Sequence, residues 1–325
     1  MLGTQVCCTL KEKNLPFVGT DSAVSILDFS ALENFAGGKD ISCIVNCAAY
    51  TAVDKAESDA DFAHALNCDG VRNIARLAKK LGIPLIHIST DYVFDGKGDF
   101  DERSLSQSKC NHQIPYSEDS AICPLGVYGE TKAAGEKALQ EETEDFYILR
   151  TAWLYGFYGK NFVYTMIRAM NARESVKVVS DQRGTPTNCE TLSNVISKII
   201  QNRIASGDFD KRNHQNNENR TVVEPCRNHR IPNGIYHVTD LGETTWFDFA
   251  KEIFSLGVER GLVTNKNCVV NPCATAEYPT PARRPAYSVL SKAKIQNALG
   301  ITLPEWKESL SSFINSPCFD KSRLN

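Results

Sequence analysis

The sequence predicts an α/β fold built on a parallel sheet, and three observations carry that reading. Short apolar runs alternate with amphipathic stretches through the first half, the pattern of repeated strand–helix–strand units. Several of those runs end in polar or hydroxyl residues, as strands do where an open sheet meets a ligand. A parallel sheet must also be covered on both faces, and the amphipathic stretches supply the cover. At 325 residues and 42% hydrophobic content, the chain can bury a sizeable core, as one large domain or two lobes.

Taken in order, Cys7 and Cys8 open a helix-like segment, and Pro16 to Asp21 reads as a strand ending in an acid. Ile41 to Asn46 is a second strand, followed by Cys47, Ala48, Ala49 and Tyr50. Asp61 to Lys80 reads as a helix, with Phe62, Leu66, Ile74, Leu77 and Ala78 near one face. Gly82-Ile83-Pro84 breaks it before the strand Leu85 to Thr90. Asp95 to Glu118 is rich in Gly, Ser and Asp and suits a loop over a site mouth. A breaker at Pro124 to Val127 precedes a helix that continues through Thr131 to Glu142, and Tyr147 to Thr151 is a further strand.

The second half is less regular. Asp181 to Thr187 is turn-rich, and Thr244 to Asp248 looks like an N-cap leading into a helix over Phe249 to Leu256. Ser206 to Asn233 is rich in Asn, Arg and His and reads as a solvated surface loop, with a metal site on His214 and His229 as the alternative. Tyr278 to Pro285 is rigid and offers Arg283 and Arg284, either for a diphosphate or as surface arginines on a connector.

Charge and cysteine usage narrow the function. A net charge of −3 and a pI near 6.1 point away from nucleic acid and anionic membranes. No apolar run approaches the ~20 residues of a spanning helix, and the first residues lack a basic-then-apolar signal pattern. A cytoplasmic location is therefore expected. The 12 cysteines include no Cys-x-x-Cys pair, which suits reduced thiols rather than zinc or a disulfide framework.

One spacing carries chemistry. Tyr128 and Lys132 stand four apart, one above the other on a helix face. An ammonium held there stabilises a phenolate and pulls the tyrosine down from its usual ~10, so that it can protonate a carbonyl oxygen. The bare motif also occurs as a solvated pair on many helices. Here a breaker precedes it, and Thr90 at a strand end offers a hydroxyl to complete the site. That is the arrangement of a short-chain dehydrogenase/reductase.

Several segments, in order, give the chain a close resemblance to the dTDP-4-dehydrorhamnose reductases, a branch of the extended short-chain dehydrogenases. They are Asn46 to Glu57, Ser89 to Gly96, Pro124 to Lys132, Arg150 to Trp153, Asp181 to Pro186 and Pro279 to Pro285. The resemblance implies a Rossmann-like, doubly wound parallel sheet over residues 1–150. A smaller lobe over 151–325 would bind the sugar nucleotide, with some segments returning to the first domain. It implies reduction of the 4-keto group of dTDP-4-dehydro-6-deoxy-L-mannose to dTDP-L-rhamnose by NADH or NADPH. Tyr128 would be the proton donor, Lys132 would hold the nicotinamide ribose, and Thr90 would help set the tyrosine. Gly3, Ala48, Ala49 and Tyr50 would line the cofactor, and Thr90, Asp91, Trp153 and Arg283 would meet the substrate. Magnesium comes by resemblance only, with no local ligand cluster behind it, and a homodimer is left open.

Two departures stand out. The family opens with a strand and a Gly-x-x-Gly-x-x-Gly turn that meets a pyrophosphate at a helix N-terminus, and here Met1-Leu2-Gly3 matches only its tail. The expectation is that Met1 is an internal methionine and that central sheet edges are left unpaired. Where relatives carry Asp-Ile near the adenine, this chain has Ser25-Ile26, with Asp28-Phe29 as the other alignment. Asp21 would hydrogen-bond the adenosine ribose and repel a 2′-phosphate, which favours NADH. Two other readings remain: a reductase of another nucleotide-4-ketosugar, and a non-catalytic dinucleotide-binding subunit resembling the regulatory subunit of methionine adenosyltransferase. An intact Thr90, Tyr128 and Lys132 favours the enzyme.

Overall fold

A computed structural model describes residues 1–100, 113–206 and 230–324. The chain opens with helix α1 (Leu2–Glu12), where Leu2, Val6 and Leu10 recur every four residues and form its buried stripe. Helix α2 (Phe29–Ala36) starts on Asp28, whose carboxylate accepts the Ala31 N–H at 3.1 Å. Strand β1 (Ile44–Asn46) leads through α3 (Val53–Ala56), α4 (Ala60–His64) and a π-helical turn (Ala65–Asp69) into α5 (Gly70–Leu81). Gly82 ends α5 at φ +63°, a left-handed cap that only glycine takes without steric cost. Strand β2 (Leu85–Thr90) follows. A small antiparallel pair, β3 (Asp99–Phe100) and β4 (Gln113–Ile114), precedes α6 (Val127–Glu142) and β5 (Phe146–Thr151).

Beyond residue 151 come β6 (Leu154–Tyr155), α7 (Phe162–Ala172), β7 (Ser175–Val179), β8 (Arg183–Gly184), β9 (Thr187–Asn188) and α8 (Cys189–Ala205). They are followed by β10 (Gly234–His237), β11 (Thr244–Thr245), α9 (Trp246–Glu259), β12 (Val269–Cys273), α10 (Ala293–Leu299) and α11 (Trp306–Asn315). As the sequence suggests, Thr245 caps α9, its hydroxyl accepting the Asp248 N–H at 3.0 Å.

The central sheet is parallel, in the order β1-β2-β5-β10. Alternation along its strands sorts side chains to two faces. Leu85 and Ile148 join the core under α2 and α5, whereas Ile86, Tyr147 and Leu149 join the one under α1 and α8. Helices on both faces make the sheet doubly wound. A separate core past residue 151 gathers Tyr155, Val163, Ile167, Phe249, Ile253, Leu310 and Phe313. Strand β10 and helix α8 return from that half to the sheet, where Thr9 on α1 hydrogen-bonds Ser193 on α8 at 2.8 Å.

Two elements differ from the sequence reading. Residues 16–21 form no strand, and Phe17 and Val18 stay exposed at 46% and 51%. An extended segment needs a ladder partner to satisfy its amides, and among the described residues none pairs with it or with the outer edge of β1. Phe62 does not share the face of Ile74 and Leu77 but is 48% exposed. The π-turn at Ala65–Asp69 inserts extra backbone and rotates the helix face between them. Residues 101–112 of the Asp95–Glu118 insert lie outside the described residues, as do His214, His229 and most of the 206–233 insert.

Helix α6 lies close to the helix that carries Asn67. A Cβ built on Gly135 would sit 1.9 Å from the Asn67 carbonyl oxygen. Gly135→Ala is expected to push the two apart and cost about 1–3 kcal/mol, read as a lower urea midpoint. An unchanged midpoint would contradict this packing.

Candidate active site

Tyr128, Lys132 and Glu136 recur every four residues on α6 and form its sheet-facing stripe. The helix starts at Gly126, where Glu57 reaches in from the loop after α3 and accepts the Val127 N–H at 3.0 Å. A carboxylate at that end complements the helix dipole. Close approach is built in, because a Cβ on Gly129 would lie 2.2 Å from the Tyr92 carbonyl oxygen.

The phenol of Tyr128 meets the Thr90 hydroxyl at the end of β2. Burial pushes the phenol up to about 12; the Thr90 hydrogen bond pulls it back, and the Asp91 charge pushes it further up. This reverses the expected depression. Lys132 is engaged elsewhere: Nζ donates to the Ile88 carbonyl at 2.6 Å and lies 3.4 Å from His87 Nε2. Burial takes the Lys132 ammonium down to about 8, against the opposing charge of Glu136. Tyr92 packs edge-to-face on Tyr128, ring centroids 5.5 Å apart, and closes that side.

Asp91 is buried beside them. Its Oδ1 accepts the Thr90 hydroxyl at 2.9 Å, while Oδ2 is buried with no partner. Burial lifts its carboxyl to about 6, against hydrogen bonds from Ser288 and Thr90. A carboxyl raised in the folded state opposes folding when ionised, and that cost is relieved as pH falls through the folded pKa toward the unfolded one. Asp91→Asn is therefore expected to be more stable than wild type at about pH 8, with the advantage shrinking between about pH 6 and pH 4. Urea titrations at three pH values check this, and an advantage that does not vary with pH contradicts it.

The other expected site residues divide. Gly3 lies in the first turn of α1, 3.5 Å from Cys47 measured from a Cβ built on it, so α1 begins at the carboxyl end of β1. Ala48 is exposed there. Tyr50 is anchored by Asn67, which accepts the Tyr50 N–H at 2.8 Å and donates to its carbonyl at 3.1 Å and to Thr131 on α6 at 3.1 Å. The Tyr50 hydroxyl turns to Asp59 at 3.0 Å. Asp21 is exposed in a turn, accepting the Ala23 N–H at 2.9 Å. Ser25 closes the next turn, and Ile26 fills the space beside Gly70 on α5. Asp28, the other alignment, is the α2 cap.

Trp153 takes φ +47°, a left-handed conformation rare for a bulky residue, and stacks on Trp246 at 3.7 Å. Gly184 makes room for it, since a Cβ there would lie 2.6 Å from the indole and 2.8 Å from Ser288 Oγ. Ser288 in turn lies beside Asp91 and lowers its carboxyl against burial. Arg283 is exposed; its neighbour Arg284 is partly buried, pairs with Asp54 at 2.8 Å and acts electrostatically on Tyr92. Sequence reasoning gave no role to Asn46, His87 or Asn67, and offered Arg284 for a diphosphate or as a surface arginine rather than as the partner of Asp54. Alternation in β2 from Ser89 back to His87 is the signal that could have found His87.

The fold and the side chains at its carboxyl edge define an extended short-chain dehydrogenase/reductase. A family model described as the RmlD substrate binding domain matches residues 1–223 and 220–318. A dTDP-4-dehydrorhamnose reductase from Sinorhizobium fredii is 40% identical over 266 residues, 82% of this chain and 77% of the relative. The crystal structure of a dTDP-4-dehydrorhamnose reductase from Clostridium acetobutylicum superposes with a TM-score of 0.78 at 36% identity, covering 97% of this chain and 95% of that one. Its counterpart from Bacillus anthracis, in complex with NADP, gives 0.76 at 32% identity, covering 96% and 94%. The chain belongs to the RmlD substrate-binding family of dTDP-4-dehydrorhamnose reductases.

Proposed function

We propose that the chain reduces the 4-keto group of dTDP-4-dehydro-6-deoxy-L-mannose to dTDP-L-rhamnose. The observation that carries the reading is Tyr128 standing beside Thr90, whose hydroxyl lowers the phenol against burial, with Lys132 one turn on along α6, in a chain 40% identical to such a reductase. The residues also fit a nicotinamide coenzyme. The start of α1, the small side chains of Ala48 and Ala49, and Lys132 gather at the carboxyl edge of the sheet, the ligand crevice of doubly wound folds. Two buried polar atoms there, Asp91 Oδ2 and Thr151 Oγ1, have no protein partner.

Bound NADH or NADPH supplies the hydride to C4. Tyr128 gives its phenolic proton to the developing alkoxide, and a phenol held near 12 is fully protonated and ready at neutral pH. Thr90 steadies the phenolate that remains. Lys132, charged below about 8, provides the cation of the site. Asp91 and Trp153, linked through Ser288 and Gly184, are the side chains assigned to the sugar nucleotide.

Coenzyme consumption followed by absorbance, with the dTDP-4-ketosugar as substrate, tests the reading. Turnover is expected with both coenzymes and with less than about tenfold preference, because Asp21 is a solvated turn residue whose charge water screens. Consumption only with a different nucleotide-4-ketosugar would keep the chemistry and replace the substrate. No consumption with any of them would remove the reductase.

A further inference from the structure

Three buried polar groups below the site form a chain that reductase chemistry alone does not explain. Asn46 and His87 are register partners on β1 and β2, both on the sheet face that meets α6. Asn46 Nδ2 lies 3.1 Å from His87 Nδ1, and His87 Nε2 lies 3.4 Å from Lys132 Nζ. The exposure of the three is 3%, 0% and 2%.

Donors and acceptors along this chain are determined from one end. The Ala48 backbone N–H can only donate, and it donates to Asn46 Oδ1 at 2.9 Å. The Asn46 amide is thereby oriented, and its NH₂ faces His87 Nδ1. Nδ1 must accept, so the neutral ring carries its proton on Nε2. That N–H points at Lys132 Nζ. An ammonium has no lone pair to receive it, whereas a neutral amine does, and can still donate to the Ile88 carbonyl.

We propose that Asn46, acting through the His87 imidazole, is a positioning residue that narrows the gap between the ammonium of Lys132 and its neutral amine, making Lys132 a proton-exchanging group. Among the described residues, the one charge facing Nζ that opposes this is Glu136 on α6, itself paired with Arg150 on β5; Cys47, from the loop after β1, is a thiol that burial keeps protonated, its pKa pushed up to about 12. Asp91 faces Tyr128 from the turn after β2, and the helix before α5 presents the neutral Asn67 to α6. Burial lowers the ammonium in the same direction as the His87 N–H. Burial, more than any charge on Lys132, holds His87 well below its usual range, so the ring stays neutral.

The test is read on the ligand-free protein and so stands apart from the substrate assignment. Nitrogen-15 shifts of labelled histidine are expected to show His87 as the Nε2–H tautomer; an Nδ1–H ring overturns the proposal. With ε-carbon-labelled lysine, Lys132, assigned through Lys132→Arg, is expected to titrate well below the ~10.4 of exposed lysines. Asn46→Asp lets a carboxylate oxygen accept from Nδ1–H, which reverses the ring and turns the Nε2 lone pair toward Nζ. The titration should then rise by about one pH unit or more, a tenfold change in the dissociation constant. His87→Gln, which adds no charge, should move it the same way. The Asn46→Asp shift should shrink by more than half in the His87→Gln background; an equal shift in both backgrounds would mean simple charge attraction and overturn the proposal.

Discussion

Tyr128→Phe is expected to lower kcat by about 10²–10⁴-fold while coenzyme affinity and the far-ultraviolet dichroism stay within about a factor of two of wild type. The substitution removes one oxygen and little else. Thr90 keeps its bonds to Asp91 at 2.9 Å and from the Tyr92 N–H at 3.2 Å, so the end of β2 is still held. A phenyl ring keeps the edge-to-face contact with Tyr92. What is lost is the proton for the alkoxide. Stopped-flow and steady-state rates, with coenzyme binding by fluorescence, separate the two effects. Near-normal turnover would remove Tyr128 from the reaction. In the wild type, the alkaline limb of kcat is expected near 8, from loss of the Lys132 charge, because the phenol titrates only near 12. A limb that persists unchanged after Lys132→Arg would contradict that origin.

Much of this site was legible in the sequence because it is written in local periods. The Tyr128–Lys132 spacing, the breaker before α6 and the hydroxyl at the end of β2 each follow from helix or strand geometry, and all three stand where expected. The electrostatics were not legible. Spacing says that two side chains share a helix face, but not which carbonyl one of them will meet, and Ile88 takes the Lys132 ammonium that was expected to serve Tyr128. The same limit explains residues 16–21, whose apolar run suits a strand but whose fate depends on a ladder partner elsewhere in the chain. The π-turn at Ala65–Asp69 left no trace in composition, yet it carries Asn67, which ties Tyr50 to Thr131. The motif from Asn46 to Glu57 shows best what folding adds. Its Asn46 faces His87, its Asp54 pairs with Arg284 and its Glu57 caps α6, three tasks on three different elements.

The largest expected effect on stability lies one turn further along α6. Arg150 and Glu136 form a bidentate pair, Nε to Oε1 at 2.9 Å and Nη2 to Oε2 at 2.7 Å, and each side chain is only 1% exposed. Ser89 donates to the same carboxylate at 2.5 Å, Arg150 Nη1 donates to the Glu118 carbonyl at 3.3 Å, and the guanidinium lies over Phe94 at 5.2 Å. Removing one partner strands the other charge where water cannot reach it, so Arg150→Met and Glu136→Leu are each expected to cost about 3–5 kcal/mol by urea unfolding. The double variant should recover part of that loss, since two apolar side chains need no counter-charge. Recovery should be incomplete, because Ser89 and the Glu118 carbonyl still lose their partner. Single costs below about 1 kcal/mol would show that the pair is solvated rather than buried. The site should feel the change as well: Ser89 precedes Thr90 on β2 and Arg150 precedes Thr151 on β5, and the two strands are in register at both positions. An Arg150→Met protein that still folds should therefore lose turnover through a displaced Thr90, with its coenzyme affinity less affected.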